Sequence, residues 1–216
     1  MLRRKGAIFD LDGVITDTAK YHYLAWKRLA SELGLYFDEK INERLKGIGR
    51  LESLEIILEE NGQNFSHQEK EYYANRKNQY YVEMIKNITP KDILPGVTNL
   101  IATLKAWGVK LAVASASKNA PTVLKNLRII EWFDHVVDAG RIKKGKPDPE
   151  IFLVAAQNIG VKPWECVGFE DSAAGIEALK RAGMLAVGIG DKEALKDADL
   201  VVKDLTFITP ILELFF

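Results

Sequence analysis

Four short apolar runs, at residues 6–10, 110–114, 165–169 and 185–189, are strand candidates, and helical patterns lie between them. Near-continuous apolar strands alternating with amphipathic helices are the pattern of a parallel sheet covered on both faces. The last two-thirds of the chain follow that rhythm closely. Val97, Leu100, Ile101 and Leu104 make one helical stripe that ends near Gly108. Asp148 and Pro149 read as an N-cap and a first-turn proline ahead of Ile151, Phe152 and Ala155, and Ile176 and Leu179 mark the next helix, which stops at Gly183.

Between the first strand and Pro95 the rhythm changes to helix after helix, over roughly residues 16–90. Trp26, Leu29 and Leu33 form a stripe before Gly34, and Leu54, Ile57 and Leu58 form another before Gly62. Ser66 and Glu69 read as a capping box opening a long helix to about residue 87, whose tyrosines, Tyr72, Tyr73, Tyr80 and Tyr81, read as its covering. The predicted fold class is therefore α/β: a Rossmann-like parallel sheet core over residues 1–15 and 93–216, with a helical cap domain, residues 16–92, inserted after the first strand. The two chain crossings would form a hinge. Ligands of such sheets bind at the carboxyl ends of the strands, so an insertion leaving that edge would cover the site.

Composition narrows the function classes. Lys plus Arg and Asp plus Glu each number 30, so no global field recruits a polyanion, and no nucleic-acid partner is expected. The lone Cys166 cannot form an intrachain disulfide and reads as a small buried residue in a reduced setting. Behind the basic residues 1–5 the apolar stretch is too short for a signal-peptide core, and no run approaches a membrane span. A cytoplasmic protein without a membrane partner is expected, and a monomer is plausible for this length. The four tryptophans, Trp26, Trp107, Trp132 and Trp164, read as packing residues.

The first strand candidate runs into Asp10-Leu11-Asp12-Gly13. In an extended chain Asp10 and Asp12 would share a face about 7 Å apart. Like charges that close resist joint ionisation, so the pair splits its protonation, has a cation nearby, or is parted by a turn after Asp10. Three more segments fall at strand ends or in nearby loops: Ser115-Ala116-Ser117-Lys118-Asn119, Lys146-Pro147 and Glu170-Asp171. Each has a structural reading, as turn former, cap for the helix that Pro121 opens, solvated lysine, or acids favouring a helix N-terminus. On one sheet edge, however, they collect four carboxylates, a lysine and several hydroxyl or backbone donors, which suit a divalent cation plus a phosphate.

"FDLDGVITDT", "SASKN", "GKPDP" and "GFEDSAAGI" resemble the four motifs of the haloacid dehalogenase superfamily, and "TAKYHYLAWK", "LKGIGRLESL" and "NRKNQYYVEMI" resemble its sugar-phosphate mutases. The resemblance implies that Asp10 is the nucleophile forming an aspartyl-phosphate, and that Asp12 is the general acid and base toward the sugar hydroxyl. It implies one Mg2+ per chain, held by the Asp10 carboxylate, the Asp12 backbone carbonyl and Asp171, with Glu170 ligating or supporting it. Ser115 and Lys146 would hold the transferred phosphoryl oxygens, with Ala116 in the same loop.

A mutase must bind a bisphosphate in two orientations and so needs a second anion site, for which the guanidinium fork of Arg50 is the best candidate. By resemblance Arg50 works with Ser117, Lys118 and Asn119, while Lys46, Gly47, Ser53 and Lys77 line the cap. His22 reads either as a helix histidine packing near Trp26 or, by resemblance, as a link between substrate binding and closure. Thr18 either caps the helix beginning near Ala19, holds Asp12 away from its working position while the cap is open, or does both. Ile48-Gly49 ahead of Arg50 departs from the pattern of those mutases. The implied activity is Mg2+-dependent interconversion of β-D-glucose 1-phosphate and glucose 6-phosphate through a bound glucose 1,6-bisphosphate. The alternatives are a sugar-phosphate phosphatase and a silent phosphosugar-binding protein, and intact Asp10 and Asp12 speak against the last.

Overall fold

The computed structural model describes residues 3–216; Met1 and Leu2, which open the basic N-terminal stretch, lie outside the described residues. Six strands, β1 (Gly6–Phe9), β2 (Lys110–Val113), β3 (His135–Val136), β4 (Cys166–Glu170), β5 (Leu185–Ile189) and β6 (Leu200–Val202), form one sheet in the order β3-β2-β1-β4-β5-β6. Every pairing is parallel, so every carboxyl end lies on one edge. β1 is central, with Phe9 in register with Val113 and Phe169.

The sheet is covered as its alternation requires, because successive side chains leave a strand on opposite faces. Ala7 and Phe9 join a core with Val97, Leu100 and Leu104 of α5 (Val97–Ala106) and Val123 and Leu124 of α6 (Ala120–Asn126). Ile8 joins a second core with Phe152 and Ala155 of α7 (Glu150–Asn158) and Ile176 and Leu179 of α8 (Ala173–Arg181). Phe9 and Phe169 stack with ring centroids 4.5 Å apart, an aromatic contact that adds about 1 kcal/mol to area burial and ties β1 to β4.

Between β1 and the rest of the sheet stand α1 (Ala19–Glu32), α2 (Glu39–Glu43), α3 (Arg50–Glu60) and α4 (His67–Ile85). The Ser66–Glu69 capping box opening α4 is present. These helices enclose their own cluster of Trp26, Leu29, Ile41, Leu54, Ile57 and Ala74. The segments by which the chain enters and leaves them are bonded to each other: Thr16 Oγ1 donates to the Asp92 carbonyl at 2.7 Å and the Leu94 amide to the Ile15 carbonyl at 2.9 Å.

Several sequence expectations need correction. β3 and β6 were not among the four apolar runs, because two- and three-residue strands at the sheet edges print no run. α7 begins one residue later than a cap at Asp148 requires; Pro149 holds the cap position, and the Asp148 carboxylate accepts from the Glu150 amide at 3.0 Å. Trp164 is no packing residue, since it is 64% exposed beneath the Lys162 ammonium. Cys166 is buried and free as expected. The C-terminal segment forms α9 (Ile208–Glu213), with Phe215 buried and its carbonyl accepting from the Arg3 and Arg4 amides. Among the described residues no helix is long and apolar enough to cross a membrane.

Candidate active site

The carboxyl ends of β1, β2 and β4 converge under the helical insertion on a cleft of about 520 Å³, a size typical of small-molecule sites. Asp10 leaves β1 as its amide donates to the Phe169 carbonyl at 2.9 Å, so the central strand pair fixes its backbone. Its Oδ1 accepts from Lys146 Nζ at 2.6 Å. Lys146 has no exposed side-chain surface and also donates to Glu170, the last residue of β4. The other oxygen of Glu170 accepts from the Asp171 and Ser172 amides and the Ser172 hydroxyl, each at 2.8 Å. Both oxygens of Glu170 are thus tied to the protein, an arrangement that suits support of the site.

Gly13 turns the chain away after Asp12 at φ +75°, and a side chain there would overlap the Asp171 carboxylate. Only a glycine lets this turn and Asp171 share the space. The turn decides among the arrangements open to the two aspartates: Asp10 points to Lys146, whereas Asp12 accepts from the Thr18 hydroxyl. Thr18 makes no cap bond to α1, so the capping role is absent and its hydroxyl serves Asp12 instead. Thr18 Oγ1 in turn accepts from Tyr81 of α4 at 3.1 Å.

The facing wall comes from the insertion. Arg50 opens α3, and Ser53 lies one turn later, buried. Lys77 of α4 is buried, 2.7 Å from His22 Nδ1 and over the Trp26 ring at 4.7 Å. Burial and the Arg50 charge lower Lys77 to about 7. Burial, Lys77 and Arg50 hold His22 well below its usual range, so its Nε2, 3.8 Å from Asp12 Oδ2, is neutral and forms no ion pair. The Lys46–Gly49 loop descends to the sheet edge: Gly47 stands at φ +71°, a backbone conformation that favours glycine, and a Cβ there would come within 2.9 Å of Ser172 Oγ. Lys46 itself pairs with Glu43 at 2.8 Å.

On the sheet side Ser115 Oγ accepts from the Ser117 amide at 3.1 Å, and Ser117 Oγ from the Asn119 amide at 3.3 Å. Asn119 reaches across to Asn78 of α4 at 2.8 Å rather than capping α6 with its side chain. All the predicted site residues line the cleft except Thr18 and Glu170, which lie behind Asp12 and Lys146. Sequence reasoning missed Tyr81, Ser172 and the cleft-facing role of Trp26. Trp26 stands four residues after His22, and Tyr81 four after Lys77, so helical spacing alone carried their signal.

Burial lifts Asp10 to about 6 against the pull of Lys146. Burial, reinforced by the Asp10 charge, lifts Asp12 to about 8. Burial and the Glu170 charge raise Asp171 well above the carboxylate range. Burial alone would lower Lys146, but Asp10 and Glu170 outweigh it and keep the ammonium charged. Among the described residues no three His, Cys, Asp or Glu side chains form a ready-made metal-binding group. The donor chemistry nevertheless fits a hard dication: Asp10 and Asp171 would offer it oxygen ligands from a buried cluster of carboxyls, and Mg2+ characteristically completes its shell with other oxygens and water.

A buried carboxylate held by a lysine at the end of a central parallel strand, beside donors that suit a dication, is the setting of a phosphoryl-transfer site, and the chain belongs to the haloacid dehalogenase-like hydrolases, whose family model matches residues 4–183. Among individual relatives it is 49% identical to the β-phosphoglucomutase of Bacillus subtilis over 95% of this chain and 92% of that one. It is 32% identical to a phosphorylated carbohydrates phosphatase of Thermotoga maritima, over 91% of this chain and 92% of that one. The crystal structure of β-phosphoglucomutase from Clostridium difficile superposes with a TM-score of 0.95 at 48% identity, covering 98% of this chain and 97% of that one.

Proposed function

We propose that this chain is a Mg2+-dependent phosphomutase that interconverts β-D-glucose 1-phosphate and β-D-glucose 6-phosphate through an aspartyl-phosphate on Asp10 and a bound β-glucose 1,6-bisphosphate. The observation that carries this reading is that one cleft is lined by phosphate-binding groups from both sides, Lys146 and the Ser115–Asn119 loop from the sheet and Arg50 from the helical insertion. A phosphosugar with phosphates at both ends fits such a cleft in either direction. The balanced charge and single cysteine support a cytoplasmic protein working on free small molecules.

In this reading Asp10 attacks phosphorus, while Ser115 and the Lys146 ammonium hold the oxygens that gather charge. Asp12, raised by burial and free of Lys146, carries the proton given to and taken from the sugar oxygen. Thr18 and Tyr81 orient its carboxyl before the substrate arrives. Asp10, Asp171 and the Asp12 backbone carbonyl would hold Mg2+, which supplies charge neutralisation when bound.

The deciding assay supplies Mg2+, β-glucose 1-phosphate and a trace of the 1,6-bisphosphate, and follows glucose 6-phosphate and inorganic phosphate together. Glucose 6-phosphate without stoichiometric inorganic phosphate is expected; stoichiometric release would make the chain a phosphatase. Arg50→Ala is expected to lower mutase turnover by roughly 10- to 100-fold, the loss of a charge-assisted pair worth about 1.5–3 kcal/mol. Equal activity of Arg50→Ala and wild type would refute the second anion site.

Cation binding should also release protons, because Asp10 and Asp171 must ionise to become ligands. Apparent Mg2+ affinity is therefore expected to rise from pH 5 to 7, with calorimetry in buffers of different ionisation enthalpy showing net release. Carboxyls raised from 3.8 to about 6 and about 8 contribute stability that is complete below about pH 4 and lost as the pH climbs through those values. Without divalent cation the melting temperature should thus fall from pH 5 to 8, and Mg2+ should flatten that decline.

A further inference from the structure

The cationic character of the cleft continues beyond the residues that reach the reacting ends. Lys143 lines its mouth, exposed, on the loop that leads into Lys146. Lys118, also exposed, lies against the same loop, since a Cβ on Gly140 would stand 3.9 Å from its Cε. Among the described residues neither ammonium has a carboxylate within ion-pair distance, whereas Lys46 is paired with Glu43 and Arg141 with Asp138. The carboxylate nearest the Lys143 backbone is already engaged: Glu150 accepts from the Lys143 and Lys144 amides at 3.0 and 2.9 Å. Glu150 thereby fixes the loop without pairing the Lys143 side chain. In a chain of zero net charge, two exposed, unpaired cations on the lining of one phosphate site form a local field.

We propose that Lys143 extends the second anion site, to which Lys118 already belongs by resemblance, into a cationic rim that captures phosphosugars from solution and favours the bisphosphate over monophosphates. This rests on the mutase reading for the bisphosphate part only. A bisphosphate carries about twice the charge of a monophosphate, so a fixed rim charge acts on it more strongly. The rim lies on the open side of the cleft, so its contribution is to encounter and affinity and leaves the chemical step alone.

The test compares wild type, Lys143→Gln and Lys143→Glu over ionic strengths from about 20 to 300 mM, spanning weak to strong screening. With 1,6-bisphosphate as the varied activator, its apparent KM should rise about threefold in Lys143→Gln and about tenfold in Lys143→Glu at low salt, at the lower end of steering effects. The rise for β-glucose 1-phosphate should be smaller, both should shrink as salt is added, and kcat should not fall with them. Unchanged KM values and salt slope overturn the proposal, as does a matching fall in kcat. Arg141→Glu makes the same charge change outside the cleft lining; an equal effect there would trace the result to overall charge and also overturn the rim. Should wild type turn over no sugar phosphate, the mutase reading fails by itself, and calorimetric titration of glucose 1,6-bisphosphate into wild type and Lys143→Glu still decides the rim: weaker, less salt-dependent binding by the variant supports it, equal binding refutes it.

Discussion

Asp10→Asn is expected to leave the protein folded and to reduce phosphoryl transfer by a factor on the order of 10³ or more. Asparagine keeps the shape of the side chain but loses the charge and nucleophilicity of a carboxylate. Folding should survive because Lys146 keeps Glu170 as an ionic partner and the β1–β4 pairing is backbone chemistry. The measurement is twofold: turnover of β-glucose 1-phosphate, and incorporation of labelled phosphate into acid-quenched protein. Wild type should trap label and the variant none. A variant that retains more than a tenth of the activity would remove Asp10 from the reaction.

Lys146→Met has the largest expected effect on stability. Methionine fills most of the volume but leaves Asp10 and Glu170 buried together without their shared cation. Removing one partner of a buried ion pair costs about 3–5 kcal/mol, because the other charge is left uncompensated. For a chain of this length that corresponds to a fall of roughly 10 °C in melting temperature. The deficit should shrink toward acid pH, where Asp10 is protonated. Thermal unfolding at pH 7.5 and pH 5 checks both parts; a variant as stable as wild type at pH 7.5 would mean that the two carboxylates do not depend on this lysine. Activity should be lost in parallel, since the same ammonium faces the cleft.

The legible parts of this molecule were those whose physics is local. β1, β2, β4 and β5 announce themselves because a strand covered on both faces is apolar at nearly every position. β3 and β6 lie at the edges, where a few backbone pairings suffice and the side chains carry no pattern. In the site, the residues at strand ends could be read because chemistry demands particular side chains at particular turns. The second rank could not. Thr18 reads either as a helix cap or as a partner of Asp12, and position alone does not choose between them; its hydroxyl goes to Asp12, with Tyr81 donating to it from a helix 63 residues further along the chain. Glu170 reads as a metal ligand or as the support for one, and the partners that hold its two oxygens, Lys146 on one side and Ser172 with two amides on the other, are set by the fold and not by its position in the sequence.

The joining of Ile15 and Thr16 to Asp92, Ile93 and Leu94 has a consequence for how such a chain can change over generations. The helical insertion leaves and returns through neighbouring points, so to the sheet it is a long loop closed at its base. Closure entropy grows only with the logarithm of loop length, about 0.6 kcal/mol per doubling, so the scaffold is nearly indifferent to how much chain is stored there. What it would lose on exchange is mainly the packing of Ala25, Tyr81, Ile85 and Ile88 against the sheet core. The strand that ends at Asp10 can therefore keep its chemistry while the covering is replaced, and selectivity for one phosphorylated molecule over another is free to evolve as a separable module.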